Sequence, residues 1–243
     1  MQQLPRFFVY KGAIKRKRFL IEDSQTINHM RVVLRLNKGD KIELFDGEGR
    51  EYIASIGFLT KTQAAGIVET EKDQSEYTKP AVFLAQALPR SGKLDTIVRM
   101  NTELGVQGFV LFDSEYAVVK KETYTKTKML RLQRVAVEAV RQAEAKILPD
   151  FYGPMSFVEA LDFKADYKLL LHSREVASAK NLLELKSEIK AGSLVLVFIG
   201  PEGGFSPTEV DLAVSKGAQV CYLDLPILRT ETAGVVANAI VLA

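Results

Sequence analysis

Two short segments near the C-terminal end hold residue types able to cradle a small ligand and act on it. The first, Gly200-Pro201-Glu202-Gly203-Gly204, packs three glycines, a proline and an acid into five residues. A tight strand-to-helix turn needs one glycine; three allow a backbone that approaches a ligand closely and offers it N–H and C=O groups. The second segment, Asp224 to Arg229, runs into Thr230-Glu231-Thr232-Ala233. Here an arginine arrives beside an acid and two hydroxyls. Arg229 could stabilise an anion forming on a reacting partner. Glu202 or Glu231 could take up a proton, and water could serve equally. A structural ion pair of Arg229 with Glu202 or Glu231 is the competing reading, since arginine is favoured in such pairs.

The elements around these segments read as an α/β domain. Leu194 to Ile199 is an apolar strand leading into the glycine loop. After the loop, Ser206 fits an N-cap, Pro207 the first helical position and Glu209 the closing member of a capping box. Gln219 to Leu223 is a strand leading into the second segment. Thr230 is expected to cap a final helix that is apolar nearly all round and hence buried. Upstream, Ala81 to Leu88, Gly108 to Asp113 and Tyr167 to His172 read as strands. Gly92 to Leu104, stopped by Gly105, and Thr125 to Ala145 read as helices. Strands apolar on both faces and alternating with helices imply a parallel sheet covered on both sides. A ligand then binds beyond the carboxyl ends of its strands, where both segments fall.

The first third of the chain has another rhythm. Arg6 to Tyr10 reads as a strand, and Ser24 to Leu36 as a helix capped by Ser24. Lys41 to Phe45 and Arg50 to Phe58 flank the glycine turn Asp46-Gly47-Glu48-Gly49, and Gln63 to Thr70 reads as a further strand, so a small barrel is expected. The polar stretch Glu71 to Pro80 marks the boundary between a unit over 1–72 and one over 73–243. Charge divides in the same way. Within Met1 to Lys41 ten Lys and Arg stand against three acids, a surplus of seven in a chain whose formal charge is +3. A basic module on a near-neutral body points to a polyanion; a solvated charged face is the plainer explanation of a cluster such as Lys15-Arg16-Lys17-Arg18.

Several classes are excluded or disfavoured. One cysteine and two histidines give no intramolecular disulfide and none of the usual zinc spacings, so no metal is expected. No apolar run is long enough to span a bilayer and Met1 to Tyr10 lacks a signal-peptide core, so a cytoplasmic protein is expected. There is no G-x-G-x-x-G, Gly92-Lys93 precedes Leu94 rather than a Walker hydroxyl, and no G-x-S-x-G occurs. Cys221 sits inside an apolar strand and reads as a small buried hydrophobe rather than a nucleophile.

With these residues in hand the chain resembles the RsmE family of 16S rRNA (uracil-N3) methyltransferases, of the SPOUT superfamily, over nearly its whole length. The resemblance is carried by GPEGGFSPTE at Gly200 to Glu209 and ILRTETA at Ile227 to Ala233. It is supported by Thr102-Glu103-Leu104-Gly105-Val106, Arg6-Phe7-Phe8-Val9, Val33-Leu34-Arg35-Leu36 and Gly39-Asp40. It implies an N-terminal PUA-like β-barrel binding RNA, with Arg6, Lys15, Arg16, Lys17, Arg18, Arg31 and Arg35 as contacts. It implies a C-terminal SPOUT α/β domain with a deep trefoil knot, and a homodimer acting on 16S rRNA of the small ribosomal subunit. The implied cofactor, S-adenosylmethionine, would meet Leu171, His172, Ile199, Gly200, Pro201, Glu202, Gly203, Gly204, Leu223, Leu225, Ile227, Leu228, Thr230, Thr232 and Ala233. Arg229 would then stabilise the charge developing on uracil. The chain departs from the family pattern at Met100, where a lysine is usual, at Tyr116, Ala145 and Pro226, where an arginine is usual, and at Asp224, where a glycine is usual.

Overall fold

The computed structural model describes residues 4–10, 12–72, 79–90, 92–172, 176 and 178–243. These form two compact units, one of residues 1–76 with 146–148, the other of 77–145 with 149–243. The expected boundary at 72/73 adjoins residues 73–78, which lie outside the described set.

The first unit contains β1 (Arg6–Phe8), β2 (Ile14–Lys15), β3 (Arg18–Ile21), α1 (Ser24–Asn28), β4 (Lys41–Phe45), β5 (Glu51–Leu59) and β6 (Ala64–Lys72). They make one six-stranded sheet in the order β1-β4-β5-β6-β3-β2. Alternation puts Phe19 and Ile21 of β3, and Ile42 and Leu44 of β4, into a core with Phe7, Ile27 and Met30. The helix expected over Ser24–Leu36 is shorter: α1 gives way to a π-helical turn over His29–Val33. Its N-cap is Asp23 rather than Ser24, accepting from Thr26 N at 2.8 Å. The wider turn leaves Val32, Val33 and Leu34 exposed, which is why periodicity over-extended the helix. Residues 146–148 return to this unit, where Leu148 N donates to Gly47 O and Lys146 pairs with Glu51.

The second unit contains β7 (Ala81–Ala87), α2 (Lys93–Glu103), β8 (Gly108–Asp113), α3 (Lys126–Gln142), β9 (Asp150–Ser156), α4 (Phe157–Leu161), β10 (Tyr167–Leu171), β11 (Lys180–Asn181), α5 (Leu182–Lys186), β12 (Leu194–Ile199), α6 (Pro207–Ser215), β13 (Gln219–Tyr222) and α7 (Thr230–Leu242). Its seven strands are all parallel, in the order β11-β13-β10-β12-β7-β8-β9. From β7 the chain steps outward through β8 to β9, then crosses to lay β10 on the far side. β12 later enters between β10 and β7. The direction of travel thus reverses around β7, β12 and β10, the place where open parallel sheets bind ligands. A core of Phe112, Phe157, Phe198 and Phe205 with Leu170, Leu196 and Val220 fills one side of the sheet. On the other, α7 packs on β7, β12, α2 and α5. Asn238 of α7 donates to Asn101 of α2 at 2.7 Å, and Asn101 to Ile97 O at 2.8 Å, all within the core.

Among the described residues no group of His, Cys, Asp and Glu could hold a metal ion, and no helix is long and apolar enough to cross a membrane.

Candidate active site

Four neighbouring parallel strands, β13, β10, β12 and β7, end side by side. Register aligns Leu171 with Cys221, and His172 N extends the ladder to Cys221 O at 2.8 Å. β12 and β7 run in step as far as Ile199 and Gln86. The carboxyl edge therefore brings together the Leu223–Leu228 loop, Leu171 and His172, the Gly200–Gly204 loop and Gln86.

The glycine loop folds back on itself. Gly204 N donates to Pro201 O at 2.9 Å, and a Cβ on Gly200 would lie 3.2 Å from Gly204 Cα. Ser206, Pro207 and Glu209 form the expected cap, with both arms of the capping box in place. The two later glycines differ in role. Gly204 has φ +71° and would point a Cβ into open space, a conformation that favours glycine. Gly203 does not open a ligand-facing side as the sequence suggests. A Cβ there would lie 3.0 Å from Tyr116 Cβ, so Tyr116 occupies that side.

Thr230 binds the two signature segments together. It is the first residue of α7 rather than its cap; Arg229 holds the N-cap position without a side-chain bond. The Thr230 hydroxyl is thereby released to donate to Gly200 O at 2.7 Å and to accept from Gln86 Nε2 at 3.0 Å. Gln86 is fully buried and also donates to Ala87 O at 2.9 Å, while its Oε1 has no partner among the described residues.

The charges settle differently from either expected ion pair. Lys93, at the start of α2, lies 2.9 Å from Glu202 and 3.3 Å from Glu231, taking both carboxylates. Arg90 N donates to the same Glu202 oxygen at 3.2 Å. Burial pushes the Glu202 carboxyl upward most strongly, but hydrogen bonds from Lys93 and from the Arg90 and its own backbone N–H outweigh it. The net result is a lowered pKa. Lys93 is raised, chiefly by its bond to Glu202. Arg229 is exposed and has no carboxylate partner among the described residues; the Arg229–Glu202 and Arg229–Glu231 pairs are not formed. A second carboxylate, Glu209, is buried and accepts from Ser206 N (2.9 Å), Glu115 N (2.9 Å) and Ser114 Oγ (3.1 Å). That clamp fixes the loop carrying Tyr116 to the start of α6.

Sequence reading missed Lys93 and Gln86. Lys93 stands in a segment that lacks the hydroxyl of a phosphate loop, and no spacing connects either residue to partners more than a hundred positions away. Cys221 is fully buried and its thiol is pushed up to about 12 by that burial, which leaves it without a reactive thiolate. In the first unit Arg6, expected among the RNA contacts, is instead held inside the unit. Its side chain is only 8% exposed, pairs with Glu43 at 3.2 Å and Glu51 at 2.9 Å, and lies 4.0 Å over the Phe45 ring. A guanidinium so committed is structural, not a phosphate contact. Lys15, Arg16, Lys17 and Arg18 are all exposed in the β2–β3 hairpin, and Arg35 is exposed beyond the π turn. Arg31 is half-buried in that turn.

Comparison with known proteins assigns this arrangement to a class. Residues 76–242 match the family model of the RNA methyltransferase domain and residues 21–69 that of the RNA methyltransferase PUA domain. The chain is a PUA-preceded RNA methyltransferase in its architecture. More narrowly, it belongs to the family of ribosomal RNA small subunit methyltransferase E. It is 33% identical to that protein of Synechocystis, over 88% of this chain and 69% of the relative, and 28% identical to that of Bacillus subtilis, over 86% and 84%. The crystal structure of ribosomal RNA small subunit methyltransferase E from Neisseria gonorrhoeae bound to S-adenosyl methionine superposes with a TM-score of 0.82. It is 25% identical, and the match covers 98% of this chain and 96% of that one.

Proposed function

We propose that the protein methylates N3 of a uridine in 16S rRNA of the small ribosomal subunit, in the cytoplasm, using S-adenosylmethionine. The observation that carries the reading is the meeting of the Gly200–Gly204 and Leu223–Leu228 segments at the carboxyl ends of adjacent strands, tied by Thr230. The site suits this cofactor by its chemistry. In this reading Leu171, Leu223 and Leu228 supply apolar walls with His172, Pro201, Thr232 and Ala233, while the Ile199 side chain is buried in the core and Leu225 and Ile227 stand exposed in the single chain. The open side of Gly204 leaves room for close approach. The Lys93–Glu202–Glu231 cluster holds one more negative than positive charge, which favours a cationic ligand.

When bound, S-adenosylmethionine supplies an electrophilic methyl group. The residues do the rest. The loops hold the reacting atoms in line, which removes a large part of the barrier. Arg229, with no carboxylate partner among the described residues, stabilises the negative charge that gathers on uracil O2 and O4 as N3 loses its proton. Glu231, and less readily the acidified Glu202, is positioned at the first turn of α7 or the loop beside it to receive that proton. Thr230 positions the loop through its hydroxyl.

In this reading residues 1–72 form the RNA-holding PUA-like unit and 73–243 the knotted methyltransferase domain. Lys15, Arg16, Lys17, Arg18, Arg31 and Arg35 contact rRNA. The hairpin supports this: Arg16 and Lys17 have φ of 49° and 60°, a strained conformation for side chains of this kind. Yet the turn is held, with Lys17 O accepting from Val68 N at 2.9 Å. Strain maintained at an exposed basic tip points to a function there. Two copies pair through the α7 side of the domain. Leu225, Pro226 and Ile227 stand exposed, Ile227 fully, and Val235, Val236, Ala239 and Ile240 are half-buried. In this reading the partner copy covers these apolar residues.

Calorimetric titration with S-adenosylmethionine tests the site. Saturable one-to-one binding per chain is expected, and Gly204→Val, which forces a branched residue into a left-handed turn, is expected to abolish it. No heat of binding to the native protein would leave an RNA-binding assembly factor in place of an enzyme.

A further inference from the structure

The Tyr116 ring belongs to no core. It is 48% exposed, at the tip of the loop that follows β8. Its base, by contrast, is fixed. Tyr116 Cβ lies 3.0 Å from where a Cβ of Gly203 would be. Glu115 N and Ser114 Oγ, the two preceding residues, are bonded to buried Glu209. Ala117 N donates to Ser114 O at 3.0 Å, and Lys120 Nζ reaches the same carbonyl at 3.2 Å. Two hydrogen-bonded anchors therefore hold an aromatic side chain over the glycine loop with one flank left to solvent. Arg90 also meets that loop, through its backbone N–H to Glu202, and its exposed side chain has no partner among the described residues.

A rigidly based, half-exposed aromatic ring on a loop that also carries a lysine, close to a segment with an exposed arginine, is the kind of arrangement by which proteins hold an unstacked nucleic-acid base, the ring stacking and the cations neutralising phosphate. We propose that Tyr116 is the platform on which a base of locally unpaired RNA stacks beside the Gly200–Gly204 loop, with Arg90 and Lys120 taking the flanking phosphates. The proposal rests on the methyltransferase reading above, because it is the glycine loop that makes this position the reacting one. Stacking is carried by the ring and not by the hydroxyl, so phenylalanine should serve and alanine should not.

The chain contains no tryptophan, so Tyr116→Trp installs a single indole reporter at this point. The probe is a uridine-containing single-stranded RNA, titrated with S-adenosylmethionine present. Quenching of the indole is expected, with a midpoint that moves to higher RNA concentration as salt rises. In steady-state assays on small-subunit rRNA, Tyr116→Ala should raise KM for RNA roughly tenfold to a hundredfold. Tyr116→Phe should stay within about threefold of wild type, and the affinity of both for S-adenosylmethionine should be unchanged. An unquenched indole in a variant that melts like wild type overturns the proposal, as does an unmoved KM in Tyr116→Ala, or a change of oligomeric state in that variant. The quenching experiment needs no turnover, so a protein that quenches but transfers no methyl group to rRNA sinks the functional reading and leaves the platform standing. An active enzyme indifferent to Tyr116→Ala does the reverse.

Discussion

Lys93 and Arg229 divide the charges of the site between them, and the division decides what each substitution will do. Lys93 occupies both carboxylates, so removing Arg229 strands no buried acid. Arg229→Ala is expected to melt within about a degree of wild type and to bind cofactor normally. It should lose roughly a hundredfold to a thousandfold in single-turnover rate, the usual effect of deleting one transition-state contact. A melting temperature lowered by many degrees, with activity lost only in proportion to unfolding, would contradict that role. Lys93→Met should behave in the opposite way. Its cluster is partly screened, so the loss is about 1 kcal/mol, roughly 2–4 °C at this chain length. The pH dependence carries the sign. Glu202 titrates below its ordinary range in the folded protein. Its contribution is therefore present above the unfolded-chain value and lost as pH falls through the folded one. Lys93→Met should accordingly cost stability at neutral pH and nothing once the carboxylates are protonated. A deficit that persists into acid would show that Lys93 acts by packing.

Local rules carried the reading furthest where they act within a few residues. The Ser206–Glu209 capping box, the parallel strands Leu194–Ile199 and Gly108–Asp113, and Gly105 ending α2 with φ +92° all follow from neighbours in sequence. β9 was not legible: Asp150-Phe151-Tyr152-Gly153-Pro154 is an edge strand, largely outside the core, with a glycine and a proline inside it, and those residues argue against a strand. The one-residue shift at Thr230 goes with its long-range bonds to Gly200 and Gln86, which periodicity does not contain. The order of strands in the sheet, and with it the meeting of Gln86, Gly200 and Thr230, is likewise a long-range property. The β2–β3 hairpin yields a prediction of its own. Arg16→Asn with Lys17→Gly supplies the residues such a turn prefers, so stability should rise while RNA affinity and its salt dependence fall. Changing all four of Lys15, Arg16, Lys17 and Arg18 to Ala should flatten the salt dependence further, each lost phosphate contact removing about 0.7–0.9 from its logarithmic slope. Cofactor affinity should be untouched. RNA affinity equal to wild type at every salt concentration would remove the hairpin from the interface.

For the molecule as a whole, the proposed division of labour gives RNA binding to the first unit and methyl transfer to the second, and the proposed dimer covers the exposed Leu225-Pro226-Ile227 loop and the α7 face. Ile227→Asp is expected to give monomers in sedimentation at concentrations where the wild type is dimeric; a wild-type monomer would contradict the assembly. The central claim is the methylation itself, and it is tested most directly by mapping modified nucleosides. Small-subunit rRNA from cells lacking the protein is incubated with the purified chain and S-adenosylmethionine, digested and analysed by mass spectrometry. One new 3-methyluridine per rRNA, absent when Arg229→Ala is used for the same brief incubation, is the expected result. Methyl groups appearing on ribose 2′-oxygens or in tRNA, or no methylation of an rRNA that the protein binds, would contradict it.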